Sequence, residues 1–433
     1  IQDGTCVDNM EGLAVSALSE YGGTDDDDDS GVLKYVSLRY GGSVLGQADE
    51  LNGLSLGGIG RETEIDYLEI MNNVDDGIEI WGGTVQMKHV SIWNIGDDSF
   101  DLDEGFRGKA QFGLIVQGYG SGTKQGSGWG DNCFEMDGGE KPDNMQPYAN
   151  PQVYNFTVIG QPTGGDQGMA FRDNMRIQVG NSIFMDIGEN LIKFEGAFDD
   201  LMFDAFTTLA HDTYDASGVN FTNLPYSSMD QFYSSSRSGN WSWLKDCVFY
   251  NIAEINDINY DDDVDGTNET TAALGLWDAA MNNVQASALP IAGITRATQG
   301  GQPLGMELVT SLDPRAANDA VSSVETAPND GFFTPVSYRG AFSPNYNWLE
   351  GWTAAYEYGM TDASANTNAP ASDIAMGAVI SFLSEDGVEY SIKQAAVAAG
   401  PYTEVATVTG DGSEMTYVDE NLSSQAFYAV EVK

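Results

Sequence analysis

Along the first 250 residues, apolar side chains recur as a triplet spaced i, i+3, i+5. It appears as Leu33/Val36/Leu38, Ile65/Leu68/Ile70, Met87/Val90/Ile92 and, with a polar first member, Lys109/Phe112/Leu114. It returns at Val153/Phe156/Val158, at Val179/Ser182/Phe184 with a polar middle, and at Leu244/Cys247/Phe249. The offsets are 32, 22, 22, 44, 26 and 65 residues, so a unit of 22 or its double is interrupted by longer loops. Such a period is one coil of a solenoid built from three short strands with a turn after each. Alternation within each strand sends two side chains into a shared interior and the intervening one outward. The pattern predicts an all-β chain: a right-handed parallel β-helix of about 22 residues per coil, with Val36, Leu68, Val90 and Phe112 in one apolar shaft. A leucine-rich horseshoe has a similar period, but it needs Leu at fixed positions and helical outer segments, which are missing.

Asn or Asp follows the triplet after one large residue, at Asn72, Asn94, Asp186 and Asn251. Stacked coil on coil, these predict a ladder of side chains capping the turn backbone, a structural role. Glycine pairs at 57–58, 82–83 and 138–139 mark turns. Residues 1–264 are thus expected to form the β-helix with inserted loops. The frame is then lost: 272–286 reads as one helix, and 265–360, dense in aromatics among Gly and Pro, reads as an irregular segment that packs on the solenoid and caps it. Residues 361–373 are small and polar, as in a linker. From 374 to 433, five or six alternating runs separated by turn residues predict a small antiparallel β-sandwich.

Composition narrows the partners. The 433 residues carry 18 Lys+Arg against 66 Asp+Glu, a net charge of −48, yet 41% are hydrophobic. That apolar content separates the chain from disordered acidic tails. The charge repels phosphates and anionic headgroups, which disfavours nucleic acid and membrane-surface partners, and it attracts divalent cations. No apolar run is long enough for membrane insertion. The start at Ile1-Gln2-Asp3, without Met or leader, is expected of a trimmed product. Cys6, Cys133 and Cys247 are odd in number and far apart, so at most one pair is expected.

Three acidic constellations are candidates for chemistry. Asp261, Asp263 and Asp265, followed by Gly266, alternate as in a calcium loop, although the twelfth position is Ala272. Asp75-Asp76 and Asp97-Asp98 share one register 22 residues apart, with Glu189-Asn190 at the same place in a later coil. Stacking brings these carboxylates to about 4.8 Å, where a cation is needed between them. Asp25 to Asp29 is a charged turn with some metal-binding capacity. Asp97, Asp98, Asp101 and Asp103 on one rim would be the catalytic set if the chain were a glycoside hydrolase or polysaccharide lyase. His89 is expected on the surface rather than as a base. Trp81, Trp93, Trp129, Trp241 and Trp243 are candidate platforms for sugar rings.

The segments Asp330-Gly-Phe-Phe, Tyr338-Arg-Gly-Ala-Phe and Trp348-Leu-x-Gly-Trp-Thr, with Leu54-Ser-Leu-Gly-Gly-Ile-Gly, Ile80-Trp-Gly-Gly-Thr-Val and Asp97-Asp-Ser-Phe-Asp-Leu-Asp-Glu-Gly, carry a resemblance. They are similar to a family of secreted bacterial surface parallel β-helix proteins. The C-terminal runs resemble fibronectin-III-like modules of exported proteins. The resemblance implies a cell-exterior location and transfers no catalytic residue. The expectation is an exported, Ca2+-stabilised, non-enzymatic structural or adhesive surface protein. Its partners would be copies of itself or other surface proteins, with glycans as a further class. The rivals are a carbohydrate-active enzyme and a glycan-binding module.

Overall fold

The i, i+3, i+5 spacing has a backbone cause. In the computed structural model, which describes residues 6–10, 13–46, 49–118, 131–139, 146–163, 165–195, 199–210, 226–233, 239–256, 274–298, 307–361, 376–384, 387–395, 401–410, 412, 414–422 and 427–433, each triplet straddles a residue in the left-handed region. Tyr35, Tyr67, His89, Phe112, Asn155, Asn181, Asp246 and Asn282 hold φ between 48° and 63°. One such residue bends the strand and shifts the inward phase by one, so that Ile65, Leu68 and Ile70 all face the same interior.

The strands stack in parallel register. Leu33, Ile65 and Met87 are aligned, as are Val36, Leu68 and Val90, and Leu38, Ile70 and Ile92. The next coil corrects the predicted frame by one residue: Ala110, Gly113 and Ile115, not Lys109, Phe112 and Leu114, continue the columns. Phe112 is the corner residue and points away from the shaft. Its place inside is left to Gly113, where a Cβ would lie 2.2 Å from the Phe156 ring of the following coil. The columns continue through Val153, Val179 and Leu244, and through Val158, Phe184 and Phe249. Together they build a 16-stranded sheet wound into a parallel β-helix around a buried apolar shaft.

The corner column has two chemistries. At one end, Tyr35, Tyr67, His89 and Phe112 stack with ring centroids 4.6, 4.3 and 5.0 Å apart. His89 leaves the shaft as expected but is not free surface: it lies between two rings, under the edge of Trp348, with Nδ1 2.7 Å from Asp66 Oδ1. At the other end, Asn181 donates to Asp246 at 3.2 Å, and Asn282 also donates to Asp246. The ladder at Asn72, Asn94, Asp186 and Asn251 forms the next corner, all four at φ of 52–57°.

Residues 274–286 form turns and the short strand Val284–Gln285 instead of a helix. Beyond them come an antiparallel hairpin, Ile291–Thr298 with Glu307–Ala316, and a chain of turns ending in the helix Ala354–Glu357. This segment lies along one flank of the coils. Trp348, Leu349, Phe342 and Ala341 cover the outward Met71, Trp93, Leu114 and Ile183. Polar groups fix the docking. The Glu69 carboxylate accepts the first helical N–H groups, Ala354 and Ala355, at 2.8 and 3.0 Å. Arg339 is fully buried: its Nε reaches the Asp246 carbonyl at 2.7 Å and its Nη2 the Asp246 carboxylate at 2.6 Å.

The chain divides into two units, 1–366 and 367–433. The second has five antiparallel strands: Met376–Leu383 pairs Glu414–Leu422, and Glu389–Ala395 lies between Thr403–Thr409 and Phe427–Val432.

Arg339→Met leaves the Asp246 carboxylate buried without its cation and is expected to cost about 3–5 kcal/mol in urea unfolding. Adding Asp246→Asn should recover much of that loss. A single-variant loss below about 1 kcal/mol would show that the pair does not anchor the flank.

Candidate acidic site

A third face of the coils is assembled from Leu54–Gly57, Ile78–Trp81, Phe100–Asp103, Phe134–Met136, Met169–Arg172 and the end of Ile183–Glu195. The inward residues of these strands, such as Ile78, Phe100, Phe134 and Met169, are fully buried in the shaft. The outward position between them reads Ser55, Glu79, Asp101, Glu135, Ala170 and Lys193 in one register. In the turn before each strand, Asp75-Asp76, Asp97-Asp98, Asp131-Asn132, Asp166-Gln167 and Glu189-Asn190 stand coil on coil, tied by backbone bonds such as Gly77 N to Asp98 O at 2.9 Å.

Side chains continue the ladder. Asp76 accepts the Asp98 N–H at 3.0 Å, and Asp98 accepts the Asn132 N–H at 2.6 Å. Four triads have carboxylate oxygens within 4.8 Å of one another: Asp75/Asp76/Asp97, Asp76/Glu79/Asp101, Asp97/Asp98/Asp131 and Asp101/Glu135/Asp137. Two like charges 4 Å apart repel by about 4 kcal/mol at an effective dielectric near 20. Burial adds to this, since Asp98 and Asp101 are 3% and 6% exposed. Burial first, then Glu79, Asp75 and Asp97, pushes the Asp76 carboxyl well above the usual range. Burial and then Glu135 do the same to Asp98, and burial and then Glu79 to Asp101. Asp97 is pushed up to about 8 by burial and Asp131, and Asp166 to about 8 by burial and its bond to Asp131. Without a cation, Asp97 and Asp166 hold their protons up to about pH 8.

The donor set fits a hard divalent cation. It is all oxygen, and oxygens on a sphere of about 2.4 Å around Ca2+ lie at most about 4.8 Å apart. Asp101 Oδ1 and Asn132 Oδ1 are buried there with no hydrogen-bond partner. At the edge of the triads Arg172 is bonded to Glu135 and 3.4 Å from Asp137.

The structure therefore brings Asp75, Asp76, Asp97, Asp98 and Asp101 together. Asp103 is in the same strand, level with Trp81, but outside the triads. Asp261, Asp263 and Asp265 lie outside the described residues. In the acidic run at 25–29, Asp26 is committed to Arg107 at 2.9 and 3.0 Å. Of the candidate platforms, Trp81, Trp93 and Trp241 are buried, and Trp129 lies outside the described residues. Cys133 and Cys247 are buried free thiols. Glu79, Asp131, Glu135, Asp137 and Asp166 were not singled out from the sequence. The signal for two of them, Asp131 and Asp166, is an acid, then an acid or amide, then a small residue and an apolar one, at 131–134 and 166–169 as at 75–78 and 97–100.

A family model for the pectate-lyase-like beta helix domain matches residues 4–277. The chain belongs to that family. Its match spans the coils that carry the acidic face and stops before the flanking segment and the C-terminal unit. No curated protein and no solved structure matches the chain. Among the described residues, no helix is long and apolar enough to cross a membrane.

The raised carboxyls set a pH dependence. In the unfolded chain these groups titrate near pH 4, so between about 4 and 8 the folded face binds more protons than the unfolded chain. Its contribution to stability is therefore complete below about 4 and is lost as pH rises to about 8. Wild-type protein in chelator should melt at progressively lower temperature from pH 5 to 8, and Asp97→Asn should flatten that fall. A melting temperature with the same slope in both would refute the assignment.

Proposed function

We propose that this β-helix protein holds divalent cations, Ca2+ first, in its acidic face and serves as a non-enzymatic structural or adhesive element at the cell exterior. The observation that carries the reading is the set of four overlapping carboxylate triads together with the buried, unpartnered Asp101 Oδ1. An ion reaches carboxylates covered to this degree; a pyranose ring does not. The spacing supports the same choice, because within each triad one oxygen from every carboxylate lies within 4.8 Å of the others, as ligands of one cation must. The Asp261, Asp263 and Asp265 loop is a further calcium candidate on its sequence. The C-terminal unit we read as a fibronectin-III-like spacer or docking module. Copies of the same chain are the natural partners of a cation-bridged acidic rod.

A carbohydrate-active reading is favoured by one feature, the partly exposed Arg172 guanidinium beside Glu135 and Asp137 at the edge of the face. Release of reducing ends or unsaturated products from a panel of acidic and neutral polysaccharides would establish it in place of the structural role.

The overlap of the triads predicts a stoichiometry. Asp76, Asp97 and Asp101 each belong to two triads, so only two ions can be held with separate ligand sets. Calorimetric titration with Ca2+ should find two ions on this face, and either Asp101→Asn or Asp97→Asn should lower the chain's total by one. Calcium at a hundredfold its dissociation constant should stabilise by about 2.7 kcal/mol per site. Chelation that leaves the melting temperature unchanged at pH 8 would remove the metal from the proposal.

A further inference from the structure

The two ends of the shaft differ. At the far end Leu274 and Leu276 are buried on it, tied to the last coils through Asn283, which donates to the Leu244 and Leu276 carbonyls at 2.8 Å. At the near end the first coil stays open. Leu33, Val36 and Leu38 are only half-buried, whereas Ile65, Leu68 and Ile70 one coil on are 4%, 0% and 1% exposed. Val32–Arg39 pairs on one side with Glu64–Met71, and among the described residues no strand takes its other edge. The N-terminal hairpin, Val7–Asn9 with Glu20–Gly22, lies at a different corner, where a Cβ at Gly58 would come 2.8 Å from Gly22 Cα. The column of stacked rings also ends here, with Tyr35 44% exposed.

Backbone direction fixes which residues face the open edge. The Glu64 N–H donates to the Gly31 carbonyl at 3.0 Å, and the Tyr40 N–H to the Met71 carbonyl at 3.0 Å, so the backbone at Gly31 and at Tyr40 turns towards the second coil. Alternation on either side of the left-handed Tyr35 turns the inward residues Leu33, Val36 and Leu38 the same way, and leaves the N–H and C=O groups of Val32, Lys34, Ser37 and Arg39 at the edge. An unpaired edge of this length is a template for another strand. This one is complementary to itself. Antiparallel pairing about the corner sets Val32 against Arg39, Lys34 against Ser37 and Leu33 against Leu38 of a second copy. The edge-facing residues then meet one another and can form about eight hydrogen bonds. The inward leucines meet across the break in the shaft, and no like charges are opposed. Charge favours the same surface. In a chain of net charge −48, Val32–Arg39 carries Lys34 and Arg39 and no acid; Lys34 is bonded to Glu64, and Arg39 donates to the Tyr358 hydroxyl at 3.3 Å.

We propose that two copies of this chain join through their first coils, Val32–Arg39 pairing antiparallel with its counterpart across a two-fold axis beside Tyr35. Such an interface is isologous and closes at the dimer. It rests on the reading of this rod as a self-associating element, but not on the ions of the acidic face.

The test is sedimentation of the full chain at micromolar concentration, in calcium and in chelator. Wild type should be a dimer in both. Val32 is 69% exposed, so its substitution should leave the melting temperature of the separated chain unchanged. Val32→Arg opposes a cation to Arg39 at both symmetry-related pairs and should weaken the dimer about ten-fold, whereas Val32→Glu sets a carboxylate there and should strengthen it about ten-fold. A diffuse charge effect would have the opposite signs, because Arg lowers and Glu raises the net negative charge. A monomer in both buffers, or tighter association of Val32→Arg than of Val32→Glu, would overturn the proposal. Association indifferent to both substitutions would overturn it as well; if it also required calcium, ions bridging the acidic faces would be left as the mode of assembly.

Discussion

Parallel stacking in register is the constraint from which the rest follows. Each coil places a residue about 4.8 Å from its equivalent above and below, so every column along the helix sets like against like. Columns of Ile, Leu and Val gain by this, since each buried side chain contributes about 1.5–3 kcal/mol. Rings gain by stacking, as from Tyr35 to Phe112, and amides by donating to the neighbouring corner, as Asn251 does to Asp186 at 2.6 Å. Carboxylates alone lose. A column such as Asp75, Asp97 and Asp131 sets like charges against one another, a cost that a proton or a cation between its members relieves.

The same constraint explains what the sequence disclosed. The solenoid was legible because the left-handed corner converts an ordinary strand alternation into the unusual i, i+3, i+5 triplet, and that spacing repeats. It failed at Phe112 for a physical reason: the inward residue there is Gly113, which has no side chain to show, and the bulky corner residue took its place in the pattern. Asp75-Asp76 and Asp97-Asp98 stood out because 22 residues separate them. Asp131 and Asp166 are equivalent in space but follow at intervals of 34 and 35, because the chain leaves the coil and returns. A search by period cannot see such members; a search by local pattern can.

The flanking segment was legible only as composition. Its aromatic density announced that it packs on something, but neither the hairpin at 291–316 nor its partners follow from local pattern, because the contacts are made by single residues. Glu69 is an example. It lies in a strand whose neighbours face the shaft, and its buried carboxylate is met by the Ser37 hydroxyl of the adjacent coil and by the first N–H groups of the helix at 354–357. Arg339 and Asp246 are another, a buried ion pair joining residues 93 positions apart. Such a pair contributes little net stability over an apolar pair of the same size, but removing one partner leaves the other buried and uncompensated.

Charge of one sign thus meets two environments in one molecule. On the acidic face the carboxylates converge, are covered, and leave room for an ion whose ligands must lie within a few ångströms. At the next corner the coil turns are stripped to glycine, the N-terminal hairpin passes closely over them, and the acids are spread rather than converging. Convergence selects the small hard cation; dispersion does not.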